Sequence, residues 1–142
     1  MNVKQVAINL ISQVDKGAYS NIALNETFKT LNINSKEKAF ITEIFYGVIR
    51  NKKFLDYIIE KNTKEIKKEW IRNLLRISIY QITFMDSDNK GVVWEGTELA
   101  KKKYGVAISK FINGTLRNYL RNKNSELKKL NDEKNYDVLY SI

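Results

Sequence analysis

The sequence contains neither cysteine nor histidine. Without cysteine the chain has no disulfide, no thiolate nucleophile and no sulfur ligand for a metal. Without histidine it also lacks the commonest metal ligand and the usual general base near neutral pH. Much of the catalytic repertoire is therefore excluded from these 142 residues, and we expect no catalytic residue, no metal site and no cofactor in this chain.

Proline is also absent, and only six residues are glycine. These two residue types are the strongest local breakers of helices, whereas the abundant Leu, Ile, Lys and Glu favour helix over strand. The length fits one domain, and a hydrophobic content of 43% is enough for a buried core. We therefore predict an all-α fold.

Long apolar runs are missing as well. No stretch approaches the roughly 18 apolar residues that a membrane-spanning helix needs. The first residues do not show the charged-then-apolar order of a signal segment. We expect a cytoplasmic protein with no membrane partner.

Positive charge, by contrast, is in excess. The net charge is +9, and residues 100–142 hold ten basic against four acidic groups, whereas residues 63–99 are balanced. Such an asymmetry indicates a polyanionic partner, above all a nucleic acid. A lineage that favours lysine and asparagine would produce a similar composition without any such partner.

Helical periodicity recurs along the first half of the chain. We predict a first helix from Asn2 to Lys16, a second capped by Ser20 or Asn21, and a third capped by Ser35. After the basic run at residues 50–53 the apolar pattern continues, either as one bent helix or as two helices.

The second half continues in the same way. Thr63 is a candidate cap for a short helical piece that leads into an apolar helix from Trp70 onward. The polar residues 86–91 predict a loop, after which a helix runs from Glu95 until Gly105 stops it.

Residues 110–121 combine an apolar stripe with three cations. Apolar residues recur there at three-and-four spacing, while Lys110, Arg117 and Arg121 fall on other faces. A glycine within a helix costs about 1 kcal/mol relative to alanine, so Gly114 predicts the close approach of another backbone. An ordinary core helix with solvated charges explains the cations equally well.

The chain divides near residue 122. We predict one domain over residues 1–122, followed by a helical turn and a polar linker over residues 123–142. Because the chain ends on a fresh apolar run that includes Val138 and Leu139, we expect a further domain beyond it.

Four stretches resemble the NusB-like RNA-binding domain, and two of them, the first and the third, look most like the N-terminal domain of the RsmB family of ribosomal RNA cytosine-C5 methyltransferases. They cover, with the residues between them, about residues 3–122 in the family's order. The stretches are Gly17–Leu24, Phe40–Arg50, Trp70–Ile82 and Lys110–Arg117. The resemblance implies a helical bundle of two packed helical subdomains that binds structured or single-stranded RNA, in NusB together with a ribosomal protein.

The sequence departs from the family at three points. The arginine-rich first helix of NusB proteins is represented here only by Lys4. The proline that precedes the Glu95 helix is missing, and Trp94 replaces the usual asparagine. RNA contacts through the first helix must therefore differ from those of NusB, and the surface around residues 88–96 differs too.

Nine cations are candidates for contact with RNA phosphates. For Arg50, Lys52 and Lys53, compensation of a helix dipole is as good an explanation as RNA contact. For Arg72 and Arg76, ion pairs with Glu43 or Glu69 are the better explanation. The full set is Lys4, Arg50, Lys52, Lys53, Arg72, Arg76, Lys110, Arg117 and Arg121.

The methylation chemistry of the RsmB family cannot take place in these residues. That reaction needs an attacking thiolate and a cofactor-binding α/β domain, and the chain has no cysteine and no glycine-rich phosphate loop. Isolated helical carboxylates such as Glu43, Glu95 and Glu98 are usually caps or ion-pair partners rather than acid-base groups. S-adenosylmethionine is therefore expected only in a catalytic domain absent from this chain.

Three functions are compatible with the sequence. The first is the RNA-binding domain of an RsmB-like methyltransferase, docked on small-subunit ribosomal RNA and on its own catalytic domain. The second is a free-standing NusB-like factor for transcription antitermination and ribosomal RNA maturation, which binds single-stranded RNA with a ribosomal protein. The third is a structural module that binds another protein and whose charge is incidental.

Overall fold

The structure, a computed structural model, describes residues 2–132. These residues form seven α-helices with short connections and no strand. This confirms the all-α prediction. The helices are α1 (Val3–Asp15), α2 (Ser20–Thr30), α3 (Ser35–Arg50), α4 (Lys52–Asn62), α5 (Glu69–Phe84), α6 (Asn89–Tyr104) and α7 (Val106–Asp132).

The helices form two groups that meet along α5. In the first group α1 packs against α2 and α3, and in the second α7 packs against α4 and along α6. Helix α5 contacts members of both groups, namely α1 and α3 of the first and α4, α6 and α7 of the second. This arrangement agrees with the two packed helical subdomains that the resemblance implies.

Helix α5 is central, since every residue from Ile71 to Ile82 except Arg72 is buried. Leu74, Leu75, Ile77 and Ile79 have no exposed surface. The segment rich in β-branched and aromatic residues at positions 77–84 is helical, as its three-four periodicity predicts. Tertiary burial therefore outweighs the strand propensity of these residue types.

Helix α3 is capped one residue earlier than predicted. Asn34, rather than Ser35, is the cap: its side-chain oxygen accepts from the Glu37 amide at 2.8 Å. The Glu37 carboxylate in turn accepts from the Asn34 amide at 3.2 Å, which completes a capping box. Helices α3 and α4 are two separate helices that meet at Asn51.

Two other predicted caps are wrong. Helix α2 begins after Tyr19, which forms no side-chain cap, so neither Ser20 nor Asn21 has that role. Thr63 ends α4 instead of starting a short helix, and the chain stays non-helical until α5 begins. Ser20, Asn21 and Thr63 are of residue types that often cap helices, but none of them caps the helix predicted for it.

Helix α6 begins at Asn89, six residues before its predicted start at Glu95. The Asp88 side chain caps it by accepting from the Gly91 amide at 3.2 Å. The predicted loop at residues 86–91 is therefore shorter than expected, because Asp88 caps a helix that begins at the next residue.

The glycines divide into packed and open positions. A Cβ on Gly47 would overlap the ring of Tyr80, so α3 and α5 approach closely there. Gly114 is exposed, and a Cβ added there would meet no neighbouring element within 4 Å, so the predicted backbone approach is wrong. Gly105 has a φ of +95° and forms the tight turn between α6 and α7.

Helix α7 runs without a break through the predicted boundary after residue 122 to Asp132. Leu130, near its end, is completely buried. Asn131 and Asp132 belong to this helix, and the rest of the predicted linker, with the apolar run after it, lies outside the described residues.

Candidate nucleic-acid interface

A groove runs between α6 and α7, the two helices that Gly105 joins. Both walls follow helical spacing, because side chains three, four and seven residues apart share one face. The groove has a volume of about 330 Å³. Its lining residues, which define the α6–α7 groove, are Val93, Trp94, Thr97, Glu98 and Lys101 of α6 and Ser109, Lys110, Asn113 and Arg117 of α7.

Three cations line this groove against one carboxylate. Lys101 lies on the α6 wall, and Lys110 and Arg117 lie on the α7 wall, where all three side chains are exposed. Arg117 donates from Nε to the Asn113 side-chain oxygen at 3.2 Å, which orients the guanidinium along the helix. With only Glu98 opposing them, the groove is positively charged and fits a phosphate backbone.

An indole ring stands at the edge of the same groove. Trp94 is 66% exposed, although Trp is usually among the more buried residue types. The sequence marks Trp94 only as a departure from the family and does not include it among the candidate contacts. Trp94 precedes Glu98 by four residues and Lys101 by seven, and this helical spacing indicates that the three side chains share one face of α6.

Arg121, the third cation predicted on this helix, lies one turn beyond Arg117 and outside the groove lining. It is exposed, and its Nη2 donates to the Asn118 side-chain oxygen at 3.2 Å. Asn118 in turn donates to Asn62 of α4 at 2.9 Å. Arg121 therefore extends the positive surface along α7, next to the contact between α7 and α4.

Arg76 is buried and forms ion pairs within the protein. Its side chain is 6% exposed, and Nε and Nη2 donate to the two carboxylate oxygens of Asp56 at 2.8 and 2.9 Å. Its Nη1 lies 3.4 Å from Asp15. Arg72 lies 3.4 Å from the same Asp56. The predicted ion pairs exist, but their partners are Asp56 and Asp15 rather than Glu43 or Glu69.

Lys52 completes this cluster by pairing with Asp15. Burial acts to raise the pKa of Asp15, but the hydrogen bond and charge of Lys52 and the charge of Arg76 outweigh it and hold that pKa below its ordinary value. Lys52 thus joins α4 to the end of α1. From the sequence, compensation of a helix dipole is one explanation of Lys52, but its observed partner is the Asp15 side chain.

Lys4 is buried between α1 and α6. Its side chain has no exposed surface, and its Nζ lies 3.7 Å from Glu95. Burial lowers the pKa of Lys4 to about 8, against the interaction with Glu95, which acts to raise it. With no exposed surface, Lys4 offers no contact to a ligand and does not line the α6–α7 groove, although the resemblance places RNA contacts on this helix.

Arg50 and Lys53 are exposed where α3 ends and α4 begins. Nearby, Glu43 accepts a hydrogen bond from the Tyr80 hydroxyl at 3.3 Å, whereas Arg72 and Arg76 pair with Asp56. Arg50 and Lys53 do not line the α6–α7 groove. They remain predicted contacts on a separate surface.

The lysines after Lys101 have different surroundings. Lys103 lies over the rings of Trp70 and Tyr104, at 5.5 and 5.6 Å, and Lys68 lies 5.0 Å from the Tyr104 ring. Such cation–π contacts hold the end of α6 against the start of α5. Of the three consecutive lysines at 101–103, only Lys101 lines the groove.

Two kinds of feature are missing from residues 2–132. None of the helices in this range has the length and hydropathy of a membrane span. In the same residues no three carboxylate, imidazole or thiol side chains form a group that could hold a metal ion.

Comparison with known proteins identifies the family. The NusB family pattern matches residues 1–121. A probable ribosomal RNA small subunit methyltransferase B of Bacillus subtilis (strain 168) is 30% identical over 124 residues, which cover 84% of this chain and 28% of that protein. A second protein of that description, from Synechocystis sp., is 27% identical over 85% of this chain and 28% of its own length.

Relatives of a second description match over nearly their whole length. The transcription antitermination protein NusB of Clostridium novyi is 33% identical over 126 residues, which cover 83% of this chain and 95% of that protein. The chain thus spans little more than a quarter of the methyltransferase relatives and almost all of this NusB relative. By its helical fold and by these matches, the chain belongs to the NusB family.

Proposed function

We propose that this chain is an RNA-binding domain that uses the α6–α7 groove as its main contact with ribosomal RNA. The observation that carries the proposal is the convergence of Lys101, Lys110 and Arg117 on one open groove. Two other predicted cations, Lys4 and Arg76, do not compete for this role, because both are buried in ion pairs.

Binding would proceed through phosphate neutralisation. Each cation that meets a phosphate releases condensed counterions, so the logarithm of the affinity falls with the logarithm of the salt concentration, by about 0.7 per contact for a single strand. Arg121 continues the basic surface along α7. Lys110, Arg117 and Arg121, predicted from the sequence, together with Lys101 form the proposed phosphate-binding set.

For the whole protein we propose an RsmB-like methyltransferase that modifies cytosine C5 of small-subunit ribosomal RNA. Support comes from the methyltransferase relatives, which match 84% and 85% of this chain. The stretch Gly17–Leu24 and the helix that starts near Trp70 also look like RsmB. The domain itself would dock RNA without catalysis, and the thiolate and S-adenosylmethionine would belong to a catalytic domain elsewhere in the protein.

The alternative is a free-standing NusB-like factor that binds single-stranded RNA with a ribosomal protein. The observation in its favour is the NusB relative of which this chain covers 95%. The codons that follow Ile142 in the source genome discriminate the two proposals. An open frame that encodes a cysteine-containing methyltransferase supports the first, and a stop codon soon after Ile142 supports the second.

Titration of the purified chain with small-subunit ribosomal RNA fragments, at two salt concentrations, tests RNA binding itself. We expect binding that weakens steeply as salt rises, since phosphate contacts dominate the affinity. An absence of binding at low salt would contradict the proposal. Binding that hardly changes with salt would contradict the role given to the groove cations.

A further inference from the structure

Trp94 and Glu98 occupy a position that phosphate binding alone does not explain. Both residues line the α6–α7 groove, and both also line a second depression formed with Asn2, Glu95, Leu99 and Lys102. The indole therefore stands as a ridge between two depressions, each with at least one lysine. A strand laid across the ridge would find a cation on either side.

We propose that Trp94 is a stacking platform for one unpaired RNA base and that Glu98 selects the base that stacks there. This inference rests on the proposed RNA binding and assigns a base-reading pair within the same groove. Every base has a π-face, so an exposed indole fixed on a helix can stack an unpaired nucleotide of any sequence. Trp94 lies within α6, where the helical backbone holds its position.

Glu98 supplies the selectivity. It follows Trp94 by four residues on α6, so the two side chains are neighbours on one helix face. A carboxylate only accepts hydrogen bonds, and it repels phosphate oxygens. The Watson–Crick edge of guanine offers two adjacent N–H donors that match the two carboxylate oxygens, so guanine is the base we assign to this position.

The phosphates flanking that guanine have separate partners. On the groove side they meet Lys101, Lys110 and Arg117, and on the other side they meet Lys102. The division of labour follows from chemistry, because cations read charge without sequence, whereas the Trp94 face and the Glu98 edge read an unstacked base.

Short oligoribonucleotides test the proposal. The probe is a fluorescently labelled oligouridine strand that carries one central guanosine, compared with strands carrying adenosine, cytidine or uridine at that position and with a duplex of the guanosine strand. Anisotropy gives the affinities at several salt concentrations. We expect the guanosine strand to bind most tightly and the duplex to bind weakly, since a paired base cannot stack on the indole.

Substitutions separate the two roles. Trp94→Ala should weaken binding by about 5- to 150-fold, the range for loss of one stacked base, with an unchanged salt slope. Trp94→Phe, the conservative control, should retain most of the affinity. Glu98→Gln should remove the preference for guanosine and raise the affinity for plain oligouridine. Lys110→Gln should instead lower the salt slope.

The results separate failure of this proposal from failure of RNA binding. If the wild-type chain binds oligouridine but Trp94→Ala binds equally well, the stacking role is overturned and the phosphate-binding groove stands. If the four bases bind alike and Glu98→Gln changes nothing, the selection by Glu98 is overturned. If no strand binds at low salt, the proposed RNA binding itself fails.

Discussion

Arg76 of α5 donates two hydrogen bonds to the carboxylate of Asp56 of α4, at 2.8 and 2.9 Å. The same guanidinium reaches Asn73 at 2.8 Å and Asp15 at 3.4 Å. Arg76, which the sequence alone leaves as a candidate for RNA contact, thus joins α5 to α4 and α1 through ion pairs.

Arg76→Met should therefore destabilise the fold by about 3 kcal/mol, because Asp56 loses the partner that binds both its oxygens and Asp15 keeps only Lys52 as an ion-pair partner. Arg72→Met is the matched control. Its single contact at 3.4 Å is partly exposed, so we expect a loss of no more than about 1 kcal/mol. Urea unfolding followed by circular dichroism measures both, and equal losses would contradict the role given to Arg76.

Gly47 and Gly114 should respond in opposite directions to alanine. A Cβ on Gly47 would overlap the ring of Tyr80, which is buried and packs against Phe84 at 5.2 Å, so the ring has little room to move. We expect Gly47→Ala to cost about 1–3 kcal/mol of stability, as overpacking does.

At Gly114 the added methyl group meets open space on an exposed helix face. Gly114→Ala should raise the free energy of unfolding by up to about 1 kcal/mol, through helix propensity and a less flexible unfolded chain. Thermal melts of the two variants compare these effects directly. A destabilised Gly114→Ala protein would show that a neighbour approaches this glycine after all.

The buried Lys4 should make stability depend on alkaline pH. Its pKa is lowered to about 8 in the fold, whereas in the unfolded chain it stays near its ordinary 10.5. Between these values the unfolded state binds more protons, so the free energy of unfolding rises with pH, by up to about 1.4 kcal/mol per unit. Below pH 8 both states are protonated, and burial of the charge imposes its full cost.

Lys4→Met removes that cost and should be more stable than the wild type at pH 7, with an advantage that shrinks as the pH rises above 8. Urea unfolding of both proteins at pH 7, 8 and 9.5 measures the difference. The buried tyrosines, including Tyr119, whose pKa burial raises to about 12, are common to both proteins and cancel. A difference that stays constant with pH would contradict a lowered pKa for Lys4.

The fold was largely predictable because helical periodicity is a local property of the sequence. Where neighbouring residues are both good caps, as at Asn34 and Ser35, propensity does not say which one finds its backbone partner. That choice depended on Glu37, three residues after Asn34, whose side chain closes the capping box.

The site was only partly predictable, for two physical reasons. The burial of Lys4 and Arg76 depends on acidic partners far away in the sequence, which composition and spacing do not reveal. The sequence pattern predicts that this helix begins at Glu95, which leaves Trp94 outside it and hides the face that Trp94 shares with Glu98. Lys110 and Arg117 are recognisable in the sequence as exposed cations, because they lie on the polar side of a clearly amphipathic helix.

The measurement that tests the central claim most directly is the affinity of a Lys110→Glu, Arg117→Glu double variant for a small-subunit ribosomal RNA fragment. The control is Lys16→Glu, Lys36→Glu, which reverses two exposed lysines outside the groove and lowers the net charge of +9 by the same amount. We predict that the groove variant loses at least about tenfold in affinity, with a salt slope smaller by about 1.4, while the control stays close to the wild type. Equal losses in the two variants, or an unchanged affinity in the groove variant, would contradict the claim that the α6–α7 groove binds RNA.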